Sequence, residues 1–352
     1  MYIVIAIIAF GVLIATHELG HFAAAKACGV RVNEFAIGMG PAILKKQGKE
    51  TKYALRILPI GGYCALEGED EDSGDARAFS NQKIWKQILI LVAGSFMNFL
   101  VGLVVVVAIF SQYHYFGSNT IESFLDGFPS TGESGLIAGD TIVAIDGERV
   151  WYSDDFSTFM ERADGNTVDI TVIRDGERIT LQDYELTKRE YVVDGQTVEK
   201  YGINFEIISA TFGEKLKYSL YTTGNFVRYV RLGLSDLVSG AVGINDLSGP
   251  VGIVSTINDV GQSSGSSYAA VLNVSYLCAF VAVNLAVMNM LPIPALDGGR
   301  VFLILVRWVI EKITRKRINR KFEGYIHATG LVLLLGLMAY VMFNDILRIF
   351  HG

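Results

Sequence analysis

Four long apolar stretches separate themselves from the rest of the chain. They run from about Tyr2 to Lys26, Ile88 to Phe110, Ala269 to Leu291 and Ile326 to Phe343. Each is long enough, with its flanks, to cross a bilayer as a helix. Pro292 and Pro294 stop the third, and Trp85 stands where an interfacial anchor would precede the second. The first is unlike a cleavable leader, because it lacks a basic start and carries Thr16, His17, Glu18 and His21 where an uninterrupted apolar core belongs. Residues 122–206 follow a different rule. Thr141–Ile145 and Thr167–Ile173 alternate with period two and end on the turns Asp146-Gly147 and Asp175-Gly176. Between them, Ser153 to Ala163 reads as a short helix opened by a Ser/Asp cap. From Phe212 to Ser239 the spacing suits an amphipathic helix on the membrane surface or against the other spans. Gln262 to Ser267 reads as a Gly/Ser linker, and no internal repeat is visible.

Composition agrees with this division. Of 352 residues 51% are hydrophobic and 19% charged, with a mean hydropathy of +0.37, against about 25% charged in an ordinary soluble domain. Net charge is -6, but its placement says more. Lys and Arg gather between Lys26 and Lys86 and between Arg300 and Lys321, around Arg315-Lys316-Arg317, while the middle is acidic. Both basic stretches abut spans, so the positive-inside rule accounts for them without nucleic acid. It places these two basic stretches, read as loops, in the cytoplasm, and both termini and the acidic middle outside it. Cys28, Cys64 and Cys278 are widely separated and form no CxxC pair, which argues against a disulfide framework or a zinc–thiolate site.

The chemistry begins in the first span, at His17-Glu18-Leu19-Gly20-His21. Histidines four apart lie on one helical face and can share a metal ion, and the glutamate between them can take a proton from the attacking water. Each ionisable group there costs at least ~2–3 kcal/mol without a partner, so an idle motif would hinder insertion. Zinc needs a third protein ligand. Residues 24 and 27 are alanine, so no third histidine follows directly. Glu34, Glu50 and Glu67 are available but lie among Lys and Arg. The remote candidate is Asp297, in Asn289-Met-Leu-Pro-Ile-Pro-Ala-Leu-Asp-Gly-Gly. Its two prolines break the helix, and broken backbone at membrane depth is tolerated where it lines a wet cavity. Asp297 either completes a His, His, Asp site or caps the following helix.

Two resemblances bear on these alternatives. Gly135 to Gly147 is similar to the Gly-Leu-x-x-Gly-Asp-x-Ile-x-x-Ile-Asp-Gly stretch of circularly permuted bacterial PDZ domains, with Tyr201–Phe205 as a candidate peptide-carboxylate loop. Together with His17-Glu-x-x-His21 and Asn289 to Gly298, this arrangement resembles the site-2 protease family, in its bacterial form with a single PDZ domain. Phe35–Pro41, Leu58–Tyr63, Ala93–Asn98 and Ser248–Ile253 are further echoes, although Ser95 stands where the family usually has proline.

The resemblance implies a polytopic α-helical membrane protein of about four spans, with a re-entrant β-hairpin and an inserted extracytoplasmic PDZ domain. Its domains would be 1–115, 116–208, 209–268 and 269–352. It implies Zn²⁺ held by His17, His21 and Asp297, Glu18 as general base and then acid, and Asn289 holding substrate. Asn98 reads instead as an interhelical hydrogen-bonding residue. The activity implied is zinc endopeptidase cleavage inside single-span membrane proteins after a first extracytoplasmic cut, with anti-sigma factors or remnant signal peptides as examples. The setting is the bacterial plasma membrane, with the site toward the cytoplasmic half. Peptide C-termini are possible PDZ ligands. Tyr53–Leu58 has strand composition, and its edge could pair with an unwound substrate. An inactive PDZ scaffold or chaperone is the alternative, which zinc content would discriminate. A metal transporter would need more intramembrane ligands than His327 at the edge of the fourth span.

Overall fold

The computed structural model describes residues 2–69, 73–129, 135–163, 165, 167–193, 195–315 and 321–351. Ser134 and the Lys316-Arg317 pair lie outside the described residues. The chain divides into two compact units, Met1–Ile109 with Thr222–Gly352, and Phe110–Tyr221.

The first unit is built on four helices long and apolar enough to span a membrane: α1 (Tyr2–Cys28), α2 (Ile84–Phe110), α6 (Ser267–Asn289) and α8 (Lys321–His351). Helix α1 is its axis. Leu13 packs with Val281 and Ala282 of α6 and Val101 of α2. Ala6 meets Val274 of α6 and Ile257 of a further helix, α5 (Pro250–Ser263). At its far end Ala25 and Cys28 join Ile90, Leu91, Val32, Leu66 and Ile304 in the largest of these clusters. Helices α1 and α2 approach closely because both are small at the crossing. A Cβ on Gly20 would stand 2.3 Å from the Ala93 carbonyl oxygen. Outward faces stay apolar, as in Val332, Leu333 and Leu335 of α8, which suits a lipid neighbour.

Strands β1 (Val32–Gln47) and β2 (Lys52–Leu66) pair antiparallel, but each is bent. Gly38, Gly40 and Gly61 have φ of 86°, 84° and 89°, values a side chain rarely adopts. Gly38 also lies so close to β2 that a Cβ would be 2.4 Å from the Leu58 oxygen. Folded this way, the two strands give four segments. Ala36 pairs with both Tyr63 and Ala54, and residues 53–55 pair back to 44–46. The edge expected at Tyr53–Leu58 is therefore an interior segment with partners on both sides. Residues 44–47 and 62–66 form the two outer edges, and 62–66 has no further strand partner among the described residues.

Two other expectations change. The basic stretch after Asp297 is largely helix, α7 (Asp297–Thr314), with Arg300 ion-paired to Glu69 and Arg307 to Glu323 at 2.8 Å. Its charges resemble a loop in sequence because they find partners only in the fold. The linker expected over Gln262 to Ser267 is half helix, since α5 runs through Ser263 and α6 starts at Ser267.

The second unit holds a sheet of order β10-β3-β4-β6-β7, from β3 (Tyr115–Phe124), β4 (Thr141–Ile145), β6 (Thr167–Arg174), β7 (Glu177–Glu185) and β10 (Ile203–Ser209), with the short Glu148–Arg149 strand paired to β4. A separate hairpin joins Arg189–Val193 to Gln196–Lys200. The helix Ser153–Arg162 begins at Tyr152 without a side-chain cap. Instead Asp155 accepts from the Trp151 amide at 2.8 Å, and Ser153 donates to the Gly117 carbonyl. Asp140, fully buried, accepts from Arg174 at 2.8 Å. The helix expected over Phe212–Ser239 spans those residues.

Glu34 ties its own segment to residues 52–56, accepting from Lys52 Nζ and Arg56 Nη2 at 2.9 Å each. Burial alone would raise its pKa from 4.5, but hydrogen bonds from Lys52, Tyr63 and Arg56 outweigh it and hold the value at about 2. A depressed carboxyl stabilises the fold fully above its ordinary value and progressively less as pH falls toward the native one. Thermal unfolding in detergent of wild type and Glu34→Gln tests this. The wild-type advantage should be constant above pH about 5 and shrink between 4.5 and 2. An advantage independent of pH would contradict it.

Candidate metal centre

His17 and His21 face the same way from α1 because four residues make about one helical turn. Their Nε2 atoms are 3.1 Å apart. Asp297 Oδ2 lies 3.1 Å from the first and 3.3 Å from the second. Among the described residues, these form the group of metal-ligating type whose donor atoms converge within 4.8 Å.

Each ring is set by its other nitrogen. His21 Nδ1 lies 2.8 Å from the Ile90 carbonyl of α2. That oxygen can only accept, so Nδ1 carries the proton and Nε2 presents a lone pair. His17 Nδ1 is 3.5 Å from the side-chain amide of Asn98, whose other end is 3.3 Å from Thr16 Oγ1. Thr16 has one proton, and the Leu13 carbonyl at 3.0 Å takes it. Asn98 Oδ1 faces Thr16 Oγ1 and its Nδ2 faces His17 Nδ1; a half-turn of the amide exchanges the two, so that its nitrogen donates to Thr16 and its oxygen accepts from His17 Nδ1–H. His17 Nε2 is then a lone pair too.

Asp297 arrives by a route the sequence only outlines. Helix α6 ends at Asn289, and the chain turns tightly through a bond from the Ile293 amide to the Leu291 carbonyl at 2.7 Å. Ala295 has φ of 80°, a conformation costing an L-residue about 1–2 kcal/mol. Helix α7 then starts directly against the turn. A Cβ on Gly298 would be 2.3 Å from the Met290 carbonyl carbon, and one on Gly299 would be 2.1 Å from the Ile293 oxygen. Leu296 occupies the N-cap, and the Asp297 side chain reaches the histidines instead of capping the helix.

Three lone-pair donors thus point at one place, and Asp297 Oδ2 is buried without a hydrogen-bond donor. A cation is the partner this arrangement lacks. Ligands about 2.0–2.1 Å from a tetrahedral zinc stand roughly 3.3 Å apart, close to the spacings here, and a His, His, Asp set leaves the fourth position open. The residues fit zinc.

A cavity of about 700 Å³ surrounds the group and is lined by all five residues singled out in the sequence: His17, Glu18, His21, Asn289 and Asp297. Tyr63, Cys64, Ala65 and Leu66 of the free sheet edge form one wall, and Glu67, Glu69 and Arg300 form a polar one. The alternative carboxylates are engaged elsewhere. Glu34 pairs with Lys52 and Arg56, Glu50 with Lys26 and Arg77, and Glu67 accepts from Asn33. Sequence reasoning gives no role to Gly94, although it lies inside the Ala93–Asn98 echo. The Ile90 carbonyl carries no side-chain signal that could reveal it.

Comparison with known proteins agrees with this chemistry. The profile of peptidase family M50 matches residues 5–337. The chain is 34% identical over 349 residues to a Clostridium perfringens protein provisionally named a zinc metalloprotease, covering 99% of each. It is 36% identical to a similarly named protein of Clostridium acetobutylicum, covering 98% of this chain and 97% of the other. The zinc metalloprotease RasP of Geobacillus kaustophilus is 26% identical, with 98% and 97% covered.

Gly94 provides a test of the ring positions. Alanine in a helix interior is ordinarily favoured over glycine by about 1 kcal/mol. Here the added Cβ would lie 2.4 Å from His21 Nε2 and 2.8 Å from His17 Cε1, and both rings are tethered. Gly94→Ala should leave the helical circular dichroism intact while the purified protein loses most of its zinc by elemental analysis. A full zinc complement would show that the rings can move aside.

Proposed function

Since the chain belongs to peptidase family M50, the site-2 protease family, it is a membrane-embedded zinc metalloprotease, and we propose that His17, His21 and Asp297 hold its zinc while Glu18 moves the proton. The observation that carries this is the convergence of two Nε2 atoms and Oδ2 within 3.1–3.3 Å. When bound there, zinc supplies Lewis-acid polarisation of the scissile carbonyl and lowers the pKa of water toward ~7.

The remaining work falls to the chain. Glu18 lines the cavity beside Gly62, at whose position a Cβ would be 3.4 Å from Glu18 Cγ. Its carboxylate accepts a proton from the attacking water and returns it to the leaving amine nitrogen as the C–N bond breaks. Asn289, which also lines the cavity, donates its side-chain N–H to a substrate carbonyl and holds the segment in line. Residues 62–66, with no strand partner on their outer side among the described residues, offer an edge to an extended strand. A substrate unwound along that edge exchanges helical hydrogen bonds for sheet ones and presents its scissile carbonyl beside Glu18.

This favours transmembrane segments of single-span proteins as the substrate class, in a step following an outer cut. The 116–208 segment is read as a PDZ domain because of its Gly135–Gly147 stretch. It would dock or filter the trimmed C-terminus outside the bacterial plasma membrane, and the basic segments would face the cytoplasm. The inactive-scaffold alternative has no support from a site whose ligating and proton-carrying residues are all present.

Glu18→Gln preserves shape and removes the base. Reconstituted with a single-span substrate, this variant should keep its zinc and cleave about 10²–10⁴-fold more slowly. Cleavage at a rate close to wild type would sink the assignment of Glu18.

A further inference from the structure

Helix α8 is mostly exposed and apolar, yet it touches the proline segment through two residues one turn apart. His327 Nδ1 accepts a hydrogen bond from the Ala295 amide at 3.2 Å. Gly330, buried, sits so close to Pro294 that a Cβ would be 2.3 Å from the Pro294 Cβ and 2.9 Å from its carbonyl carbon. Residues i and i+3 share a helical face, so His327 and Gly330 together form one seat for the Pro294-Ala295 peptide.

The seat holds the one described residue of residues 290–297 that has positive φ, Ala295 at 80°. Pro292 and Pro294 offer no N–H, and the Ile293 and Leu296 amides close turns within the stretch, so few donors remain to tie it to a neighbouring helix. The Ala295 amide is one of them, and Asp297 follows two residues later. A shift at Ala295 is passed along a short, stiff path to the carboxylate. Gly298 and Gly299, packed against Met290 and Ile293, leave the start of α7 little room to compensate.

We propose that His327 is a positioning residue for the protease reaction: as a neutral imidazole protonated on Nε2, it accepts from the Ala295 amide and so sets where Asp297 reaches the two histidines. The proposal rests on the reading of Asp297 as a zinc ligand. His327 touches none of the reacting groups, so its influence should appear in metal retention and in kcat, with KM for the substrate little changed.

The test uses the full chain in detergent, with His327→Ala, His327→Asn and His327→Gln compared with wild type and Asp297→Ala. Zinc retained against increasing chelator is read beside kcat and KM. Asparagine places its Oδ1 where Nδ1 stood, whereas glutamine carries its amide to the position of Nε2. Loss of a group that orients a ligand typically costs 10–100-fold. His327→Ala and His327→Gln should therefore release zinc at about tenfold lower chelator and lose about tenfold in kcat, while His327→Asn recovers most of both. Equal behaviour of the Asn and Gln variants, or wild-type zinc retention in all three, would overturn the proposal. If His327→Ala does not fold, the Asn and Gln pair, matched in polarity, decides alone. Asp297→Ala separates the two readings. Zinc lost there but held in every His327 variant rejects only the positioning role, whereas zinc and activity kept in Asp297→Ala reject the ligand assignment and with it this proposal.

Discussion

Three electron-rich atoms held 3.1–3.3 Å apart repel one another, and the membrane unit is arranged around keeping them there. In a low-dielectric setting such repulsion is weakly screened, so the positions must be imposed by groups that cannot easily yield. Backbone does most of this. The Ile90 carbonyl orients His21, the Ala93 carbonyl lies against Gly20, and the Met290 and Ile293 carbonyls lie against Gly298 and Gly299. Four of the glycines in the site's framework are small because a main chain, or an imidazole, already occupies the space. A cation at the centre would convert the mutual repulsion into three attractions and so link metal binding to the stability of this arrangement.

Much of this is legible in the amino-acid sequence alone. The HExxH spacing fixes its own geometry, because a helix places residues four apart on one face whatever surrounds it. The spans are legible for the same local reason, and α6 ends at Asn289, two residues before the expected boundary, since Pro292 forbids continuation. Helix α7 is hidden by its charges. Arg300 and Arg307 read as solvent-loving until Glu69 and Glu323 meet them. The strand at Tyr53–Leu58 is recognisable from composition, but its burial between two neighbours is not. That depends on bends at Gly38, Gly40 and Gly61, whose positive φ is a property of the folded register. Nor can sequence show which carbonyl orients His21.

Asp297 illustrates the boundary between the two kinds of information. An aspartate following a proline-broken helix is also a common way to begin the next helix. The choice between these roles falls to the glycines that follow it. Gly298 and Gly299 let α7 start against the turn, with Leu296 at the N-cap position, and this releases the carboxylate to face α1. Two residues of permissive backbone thus turn an aspartate at the start of a helix away from capping and toward His17 and His21.

Proteolysis inside a bilayer needs water and an unfolded peptide bond in one place, and the two walls of the cavity differ in what they offer. Glu67, Glu69 and Arg300 line one side, where charged groups favour hydration. The sheet edge at residues 62–66 lines another, with backbone hydrogen-bonding capacity and the modest side chains Cys64 and Ala65. A peptide leaving its helix in lipid would lose several kcal/mol for each unsatisfied backbone group, a cost that an edge strand offsets one hydrogen bond at a time. In the proposed mechanism, an edge within reach of Glu18 would make unwinding and hydrolysis a single local event. Water would then need to reach only the few peptide units held there, while the rest of such a substrate helix stayed in lipid.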